Sequence, residues 1–405
     1  MHRTSVEVAP QEADGRAHAT TATSLPGRRF ELRPALETLP RYVPGLSPED
    51  VEPVLQGAGE AGAVKLSSNE NPLGPSPRAV EAICRAAWES HRYPDPECRQ
   101  LRLALARRFR VPAEQIVVAN GGDNLITLLA QVMLEPGRSV AIPAVTFASY
   151  EIAAHLAGAR IERVPMRGPF LDAQAIASAF KTGASVAFVC NPNNPTGTIL
   201  SGDQVRSIID AMPGGSLLVL DEAYADFVTD GSYPDGPGLV RDGAPVVVLR
   251  TFSKAYGLAG LRVGFALCPP EVARAMWSAR EPFSTNRLAE AAALAALEDE
   301  AHRLRARDMV LQGREEMMRR LDAMGIGYVP SQANFLWIET PVPSSVLVPR
   351  LARLGVLVRP GEIWGQHSFI RVTIGTPAQN WRFIEALQQV LAEAGTGRHQ
   401  GGSSP

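Results

Sequence analysis

Lys254 lies in TFSKAYGLAGLRVG (251–264), directly after the apolar run PVVVLR (245–250). Thr251 and Ser253 precede it, and Arg262 follows within the same glycine-rich segment. The chain has three lysines (Lys65, Lys181, Lys254) against 37 arginines, so a lysine kept where arginine would supply the charge is informative. An amine condenses with a carbonyl, and an amine desolvated beside another cation loses its proton near neutral pH. Hydroxyls with an arginine suit a phosphate. A solvated surface loop accommodates the same residues, and the segment by itself leaves both readings open.

Three further segments could carry chemistry. SLLVLDEA (216–223) ends an apolar run in Asp221, with Glu222 and Tyr224 following. A carboxylate there could hold a protonated ring nitrogen or a metal ion, while the Walker A partner of a nucleotide site is missing. IVVAN (116–120) runs through Gly121 and Gly122 into the helical pattern LITLLAQVML (125–134). Glycines let backbone N–H groups approach a ligand, and a helix start offers unpaired donors at the positive end of its dipole. Gly122, Asp123 and Asn124 could therefore cradle a phosphate, although a plain N-cap at Asp123 fits equally. NPNNPTG (191–197) follows SVAFVC (185–190), and its two Asn-Pro pairs and glycine force a rigid turn.

These loops need a scaffold. SVAIP (139–143), SVAFVC, SLLVLDEA, PVVVLR and LRVGFAL (261–267) are short β-rich runs bounded by Gly, Pro or Asn, alternating with helical patterns at 82–91, 99–110 and 125–134. Alternation of this kind predicts an α/β fold, a mostly parallel sheet covered by helices, with its chemistry at the carboxyl ends of the strands. A long Ala/Leu/Arg helix is predicted near 281–320. NFLWIE (334–339), VLVRP (356–360) and FIRVTIG (369–375) then read as a smaller α+β C-terminal domain, closed by a helix over about 378–394. The expected organisation is a disordered leader (1–30), an N-terminal arm (31–64), a large domain (65–285), a connecting helix with the small domain (286–394) and a disordered tail (395–405).

Composition sets limits. The 405 residues carry a net charge of −2, which argues against bulk binding of nucleic acid or anionic membranes. There is no apolar run of membrane-spanning length. Four cysteines without CxxC spacing disfavour a disulfide scaffold or zinc ribbon and fit a reducing cytoplasm. The 35 Gly and 33 Pro predict many turns.

Taken in order, the motif loops resemble those of the fold-type I pyridoxal-phosphate (PLP) aminotransferases, class I/II. The wording NPNNPTG, DEAYADF and TFSKAYGLAGLRVG is similar to the histidinol-phosphate aminotransferase branch, as are TLPRYVPG (38–45), VKLSSNENPLGPSP (64–77), RYPDPECRQLRLALA (92–106) and FIRVTIGTPAQN (369–380). The resemblance spans about residues 34–394. It implies PLP as cofactor, with Lys254 forming the internal aldimine and moving the Cα proton, and Asp221 pairing with the pyridinium nitrogen. Asn194 and Tyr224 would bond the ring O3′, and Gly122, Asp123, Ser253, Arg262 and nearby Thr251 would hold the phosphate. Phe147 falls where the family stacks an aromatic, usually Tyr, on the ring. Arg371 would bind the substrate's anionic group, with Arg359 adding to that site. Tyr42 and Tyr93 match positions that reach a neighbouring subunit's site, so a homodimer with shared sites is implied.

The implied reaction is ping-pong transamination between an amino donor and a keto acceptor, with imidazole-acetol phosphate and glutamate as the pair for the histidinol-phosphate reading. Aromatic amino-acid transamination, decarboxylation, elimination and O2-dependent oxidation use the same scaffold. Asn124 stands where the family has Glu, which removes a carboxylate near the phosphate and the substrate entrance.

Overall fold

The computed structural model describes residues 33–36, 39 and 62–399. The predicted leader, Tyr42, most of the N-terminal arm and the end of the tail lie outside the described residues.

Seven strands form the main sheet: β1 (Ile116–Ala119), β2 (Ser139–Pro143), β3 (Arg160–Val164), β4 (Ala184–Cys190), β5 (Leu217–Asp221), β6 (Val246–Thr251) and β7 (Gly264–Leu267). Their order is β1-β7-β6-β5-β4-β2-β3, and every pairing is parallel except those of β7, which runs antiparallel to both neighbours. Both faces are covered. Val117, Ala119, Val247 and Leu249 enter one core, while the intervening Ile116, Val118, Val246 and Val248 enter the other. That is why these strands read as continuous apolar runs rather than alternating ones. β3 escaped the sequence reading because it is an edge strand whose RIERV leaves most positions partly or fully exposed.

Register aligns the loops. Cys190 sits opposite Asp221, and Asp221 opposite Leu249, so β4, β5 and β6 release their following loops from one edge. The antiparallel β7 begins at that edge: its Gly264 pairs with Ala119 at the end of β1. Arg262 is thereby delivered beside the Gly121–Gly122 turn. A Cβ on Gly264 would lie 3.1 Å from Gly121 C and 3.2 Å from Gly122 N, so any side chain here would have to push main-chain atoms apart by a few tenths of an ångström.

Helices departed from expectation at their ends. The segment predicted over 82–91 is a helix at Pro77–Ala87, started by Ser76, whose Oγ accepts from Arg78 N–H (3.2 Å), with proline at the first helical position. The helix predicted near 125–134 already starts at Gly121. In place of one long helix near 281–320 there are two, Arg287–Glu298 and Glu300–Ala323. Residues 281–286 stay outside because Pro282 is followed by Phe283 at φ +58°, and Asn286 caps the first helix through Ala289 N–H (2.8 Å). Asp299 (φ −99°, ψ 62°) interrupts the run and caps the second helix through His302 N–H (3.1 Å). Ala289, Ala292, Ala293 and Ala296 still pack in the core of the main sheet, so the helix that carries the chain onward is Glu300–Ala323.

The C-terminal part has an antiparallel sheet of β8 (Tyr328–Val329), β9 (Phe335–Glu339), β10 (Arg359–Pro360) and β11 (Phe369–Thr373), ordered β8-β9-β11-β10. Val64–Lys65 pairs in parallel with Val356–Leu357, which ties the chain just before the large domain's helices to this part. The last helix runs Pro377–His399, past the predicted end near 394 into a segment predicted to be disordered. Once a helix is propagating, each added residue, glycine included, costs little more than its propensity of about 1 kcal/mol.

Candidate active site

Asp221 closes β5 and is buried. Its Oδ2 accepts from the Tyr150 hydroxyl (2.7 Å) and its Oδ1 from Ala223 N–H (3.1 Å). Burial pushes its carboxyl up to about 6, against the lowering effect of those two donors. Tyr150 itself is fully buried, stacked on Phe188 (centroids 5.0 Å apart, 7° between planes) and met edge-on by Phe147 at 5.6 Å. Glu222, the next residue, engages Arg250 instead through a buried ion pair (2.6 Å).

Lys254 follows β6 on a tight turn in which Gly257 N–H donates to Lys254 O (3.0 Å). Its Nζ donates to Ser68 O (3.1 Å) and lies 5.7 Å from the centre of the Tyr224 ring. Burial pushes its ammonium down to about 8, assisted by the charges of Arg371 and Arg262 and opposed by Glu70 and Asp123. A useful fraction of this amine is unprotonated near neutral pH.

Arg371 sits on β11 between Trp337 of β9 and Arg359 of β10 in register. Its Nη1 donates to Asn194 Oδ1 (2.6 Å), its Nη2 donates to Ser67 O (2.6 Å), and its guanidinium carbon stands 5.4 Å from the Phe335 ring and 5.5 Å from the Trp364 ring. Tyr224 is buried edge-on against Phe335 (5.1 Å), and its oxygen accepts from Asn69 Nδ2 (3.1 Å).

The glycine turn meets Arg262 from the side. Gly121 has φ +84°, and a Cβ there would stand 2.8 Å from Arg262 Nη2. Arg262, itself at φ +55°, donates through Nη2 to Asp123 Oδ2 (3.2 Å), while Ser149 donates to Asp123 Oδ1 (2.6 Å). Asn124 Oδ1 accepts from Asn120 N–H at 3.3 Å, so its carbonyl serves the helix start. Thr251 Oγ1 accepts from Ser253 N–H (3.0 Å), which shapes the backbone before Lys254.

The structure thus gathers Asp221, Lys254, Asn194, Tyr224 and Arg371 on one side, and Gly122, Asp123, Arg262 and Ser253 beside them. Arg359 is buried on the strand next to Arg371. Tyr93 is not brought to the site of its own chain: it is 78% exposed and stacks on Phe283 at 4.6 Å. Sequence reasoning missed Tyr150, Asn69 and the carbonyls of Ser67 and Ser68. Tyr150 lies three residues after Phe147 in PAVTFASY (143–150), near enough in sequence to have been weighed with it; the carbonyls leave no side-chain signal at all.

The donor set suits an anionic, aromatic, carbonyl-bearing ligand: an amine of lowered basicity, a buried carboxylate that a ring cation would stabilise, and an arginine at a glycine turn. Among the described residues, no group of three or more His, Cys, Asp or Glu side chains could hold a metal ion, and no helix is long and apolar enough to cross a membrane.

The family model for aminotransferase class I and II matches residues 61–387. The chain is 44% identical to the histidinol-phosphate aminotransferase of Symbiobacterium thermophilum over 362 residues, covering 89% of this chain and 99% of that one. The Moorella thermoacetica enzyme of the same name is 43% identical, covering 89% and 93%. Among solved structures, the Sinorhizobium meliloti histidinol-phosphate aminotransferase in complex with pyridoxal-5′-phosphate superposes with a TM-score of 0.82 at 29% identity, covering 91% and 99%. A double mutant of Thermus thermophilus aspartate aminotransferase gives 0.75 at 25% identity, covering 89% and 99%. With the family model spanning most of its length and relatives this close, the chain belongs to the class I and II aminotransferases.

Proposed function

We propose that this enzyme is a PLP-dependent histidinol-phosphate aminotransferase. The observation that carries the reading is the meeting of Lys254, Asp221 and Arg371 beside the glycine turn, on a chain 44% identical to an enzyme of that name.

Each residue has a task that its surroundings favour. Ionised Asp221, oriented by Tyr150 and Ala223 N–H, holds a protonated ring nitrogen. Asn194 gives its Oδ1 to Arg371, which leaves Nδ2 as the donor toward the ring oxygen, alongside the Tyr224 hydroxyl. The phosphate falls to Gly122, Asp123 and Asn124 at the helix start, with Ser253, Thr251 and Arg262. Phe147 supplies the stacking face. PLP, when bound, supplies the electron sink that makes the substrate α-carbon acidic. Lys254, whose ammonium is pushed down to about 8, would as the free amine take the proton from that carbon onto Nζ and hand it to the carbon through which the cofactor is attached. Arg371, with Arg359 beside it, receives the substrate's anionic group as a planar fork.

We also propose a homodimer in which Tyr93 and Tyr42 serve the partner's site. In support, Tyr93 and Phe283 stack at 4.6 Å and both stay exposed, an aromatic pair that a second chain could cover. Sedimentation velocity should give twice the mass of 43.5 kDa. Four free thiols fit a reducing compartment, and we place the enzyme in the cytoplasm.

The test of the reaction is a donor panel on purified, PLP-loaded enzyme. Histidinol phosphate should convert the bound cofactor to its amine form fastest, and a 2-oxo acid should restore it. A faster aromatic amino acid, or release of CO2 or uptake of O2 without a keto acceptor, would overturn the assignment.

A further inference from the structure

Ser67, Ser68 and Asn69 are consecutive, and each touches a different functional side chain. Ser67 O accepts from Arg371 (2.6 Å), Ser68 O accepts from Lys254 (3.1 Å), and Asn69 Nδ2 donates to Tyr224 (3.1 Å). Asn69 has φ +55°, a left-handed conformation that asparagine tolerates better than most residues. Its carbonyl is held by Asn334 Nδ2 (3.1 Å).

The orientation of the Asn69 amide follows from Thr373. The Thr373 oxygen accepts from Asn69 N–H (2.9 Å), and its own proton goes to Asn69 Oδ1 (3.1 Å). Turning the amide over would strand the proton of this buried hydroxyl. Nδ2 therefore faces Tyr224. Because the Tyr224 oxygen accepts there, its single proton points away from Asn69. We propose that Asn69, held by Thr373, is a positioning residue that aims the Tyr224 hydroxyl proton into the site. The proposal rests on the reading of Tyr224 as a donor to the cofactor's ring oxygen.

A donor on that oxygen favours its anionic form, so losing the donor raises the pH at which the bound cofactor sheds its proton and changes colour. Visible absorption of the PLP-loaded enzyme is titrated with pH for wild type and four variants. Tyr224→Phe removes the donor. Asn69→Asp keeps the size and the left-handed backbone but presents an acceptor, which turns the Tyr224 proton around. Thr373→Val frees the amide to turn over, and Thr373→Ser keeps the hydroxyl. The midpoint should rise by about one pH unit in the first three and stay with wild type in Thr373→Ser. A rise in Tyr224→Phe with none in Asn69→Asp or Thr373→Val would overturn this inference and leave the Tyr224 reading intact. No rise even in Tyr224→Phe would overturn both. Melting of each apoenzyme identifies a variant that fails to fold, and Thr373→Val then carries the test in place of Asn69→Asp.

Discussion

Asp221 should cost the empty enzyme stability, and Asp221→Asn should recover it. The carboxyl is buried and pushed up to about 6 from an ordinary 3.8. Between those values the folded chain binds a proton that the unfolded chain has released, so stability falls as pH rises through the window. Two pH units correspond to about 3 kcal/mol in full, of which about 2 kcal/mol falls between pH 4.5 and pH 8. Asparagine has no charge to desolvate. Its Oδ1 can keep Ala223 N–H while Tyr150 accepts from its amide. Melting of the apoenzymes across this range should show the variant gaining on wild type by a few degrees as pH rises. Saturating PLP should reverse the ranking, because a protonated ring nitrogen compensates the aspartate and offers nothing to the asparagine. A difference between the two apoenzymes that stays constant from pH 4.5 to pH 8 would refute the reasoning. It would mean that Asp221 is solvated well enough to ionise without strain.

Lys254→Ala should abolish turnover while PLP still binds non-covalently, seen as colour that dialysis removes; full activity would sink the assignment. Arg371→Lys keeps the charge but loses the fork that Asn194 and Ser67 hold, so KM should rise about 10- to 100-fold in steady-state kinetics. Gly257→Ala puts a Cβ 2.3 Å from Gly74 O and 2.6 Å from Gly74 C at a backbone of φ +70°, and since these atoms are main chain, thermal melting should report a loss of about 2 kcal/mol or more. Tyr150→Phe removes a donor from Asp221, so the carboxyl should rise above its present value of about 6, and acidification should release PLP at a higher pH than from wild type.

What could be read from one sequence follows from how this site is made. Asp221, Lys254 and the NPNNPTG turn were legible because each sits where a doubly buried strand ends, and such strands announce themselves as apolar runs closed by glycine, proline or a lone charge. Their convergence was also implicit, since parallel strands in register must release their loops from one edge. The antiparallel β7 was not legible as such, yet it is what turns Arg262 toward Gly121. The long helix was misjudged because Asp299 is as good a helix surface residue as a cap until its backbone is known.

The cross-links were the hidden part. Thr373 and Asn69 are 304 residues apart and meet through two hydrogen bonds, and Arg371 reaches Ser67 across the same separation. Neither serine presents a side chain to its partner, so substitution patterns at Ser67 and Ser68 would carry little trace of the contacts their carbonyls make. The strip at 67–69 also explains why the small sheet must sit where it does. Arg371 and Thr373 lie two residues apart on β11 and so face the same side, one gripping Asn194 and Ser67, the other setting Asn69 and through it Tyr224. A displacement of β11 would disturb the anion fork and the tyrosine together. On the roles proposed for Arg371 and Tyr224, substrate anchoring and the proton arrangement would both depend on one strand's position, and a substitution that shifts β11 should change both while leaving Asp221, on its own strand, untouched.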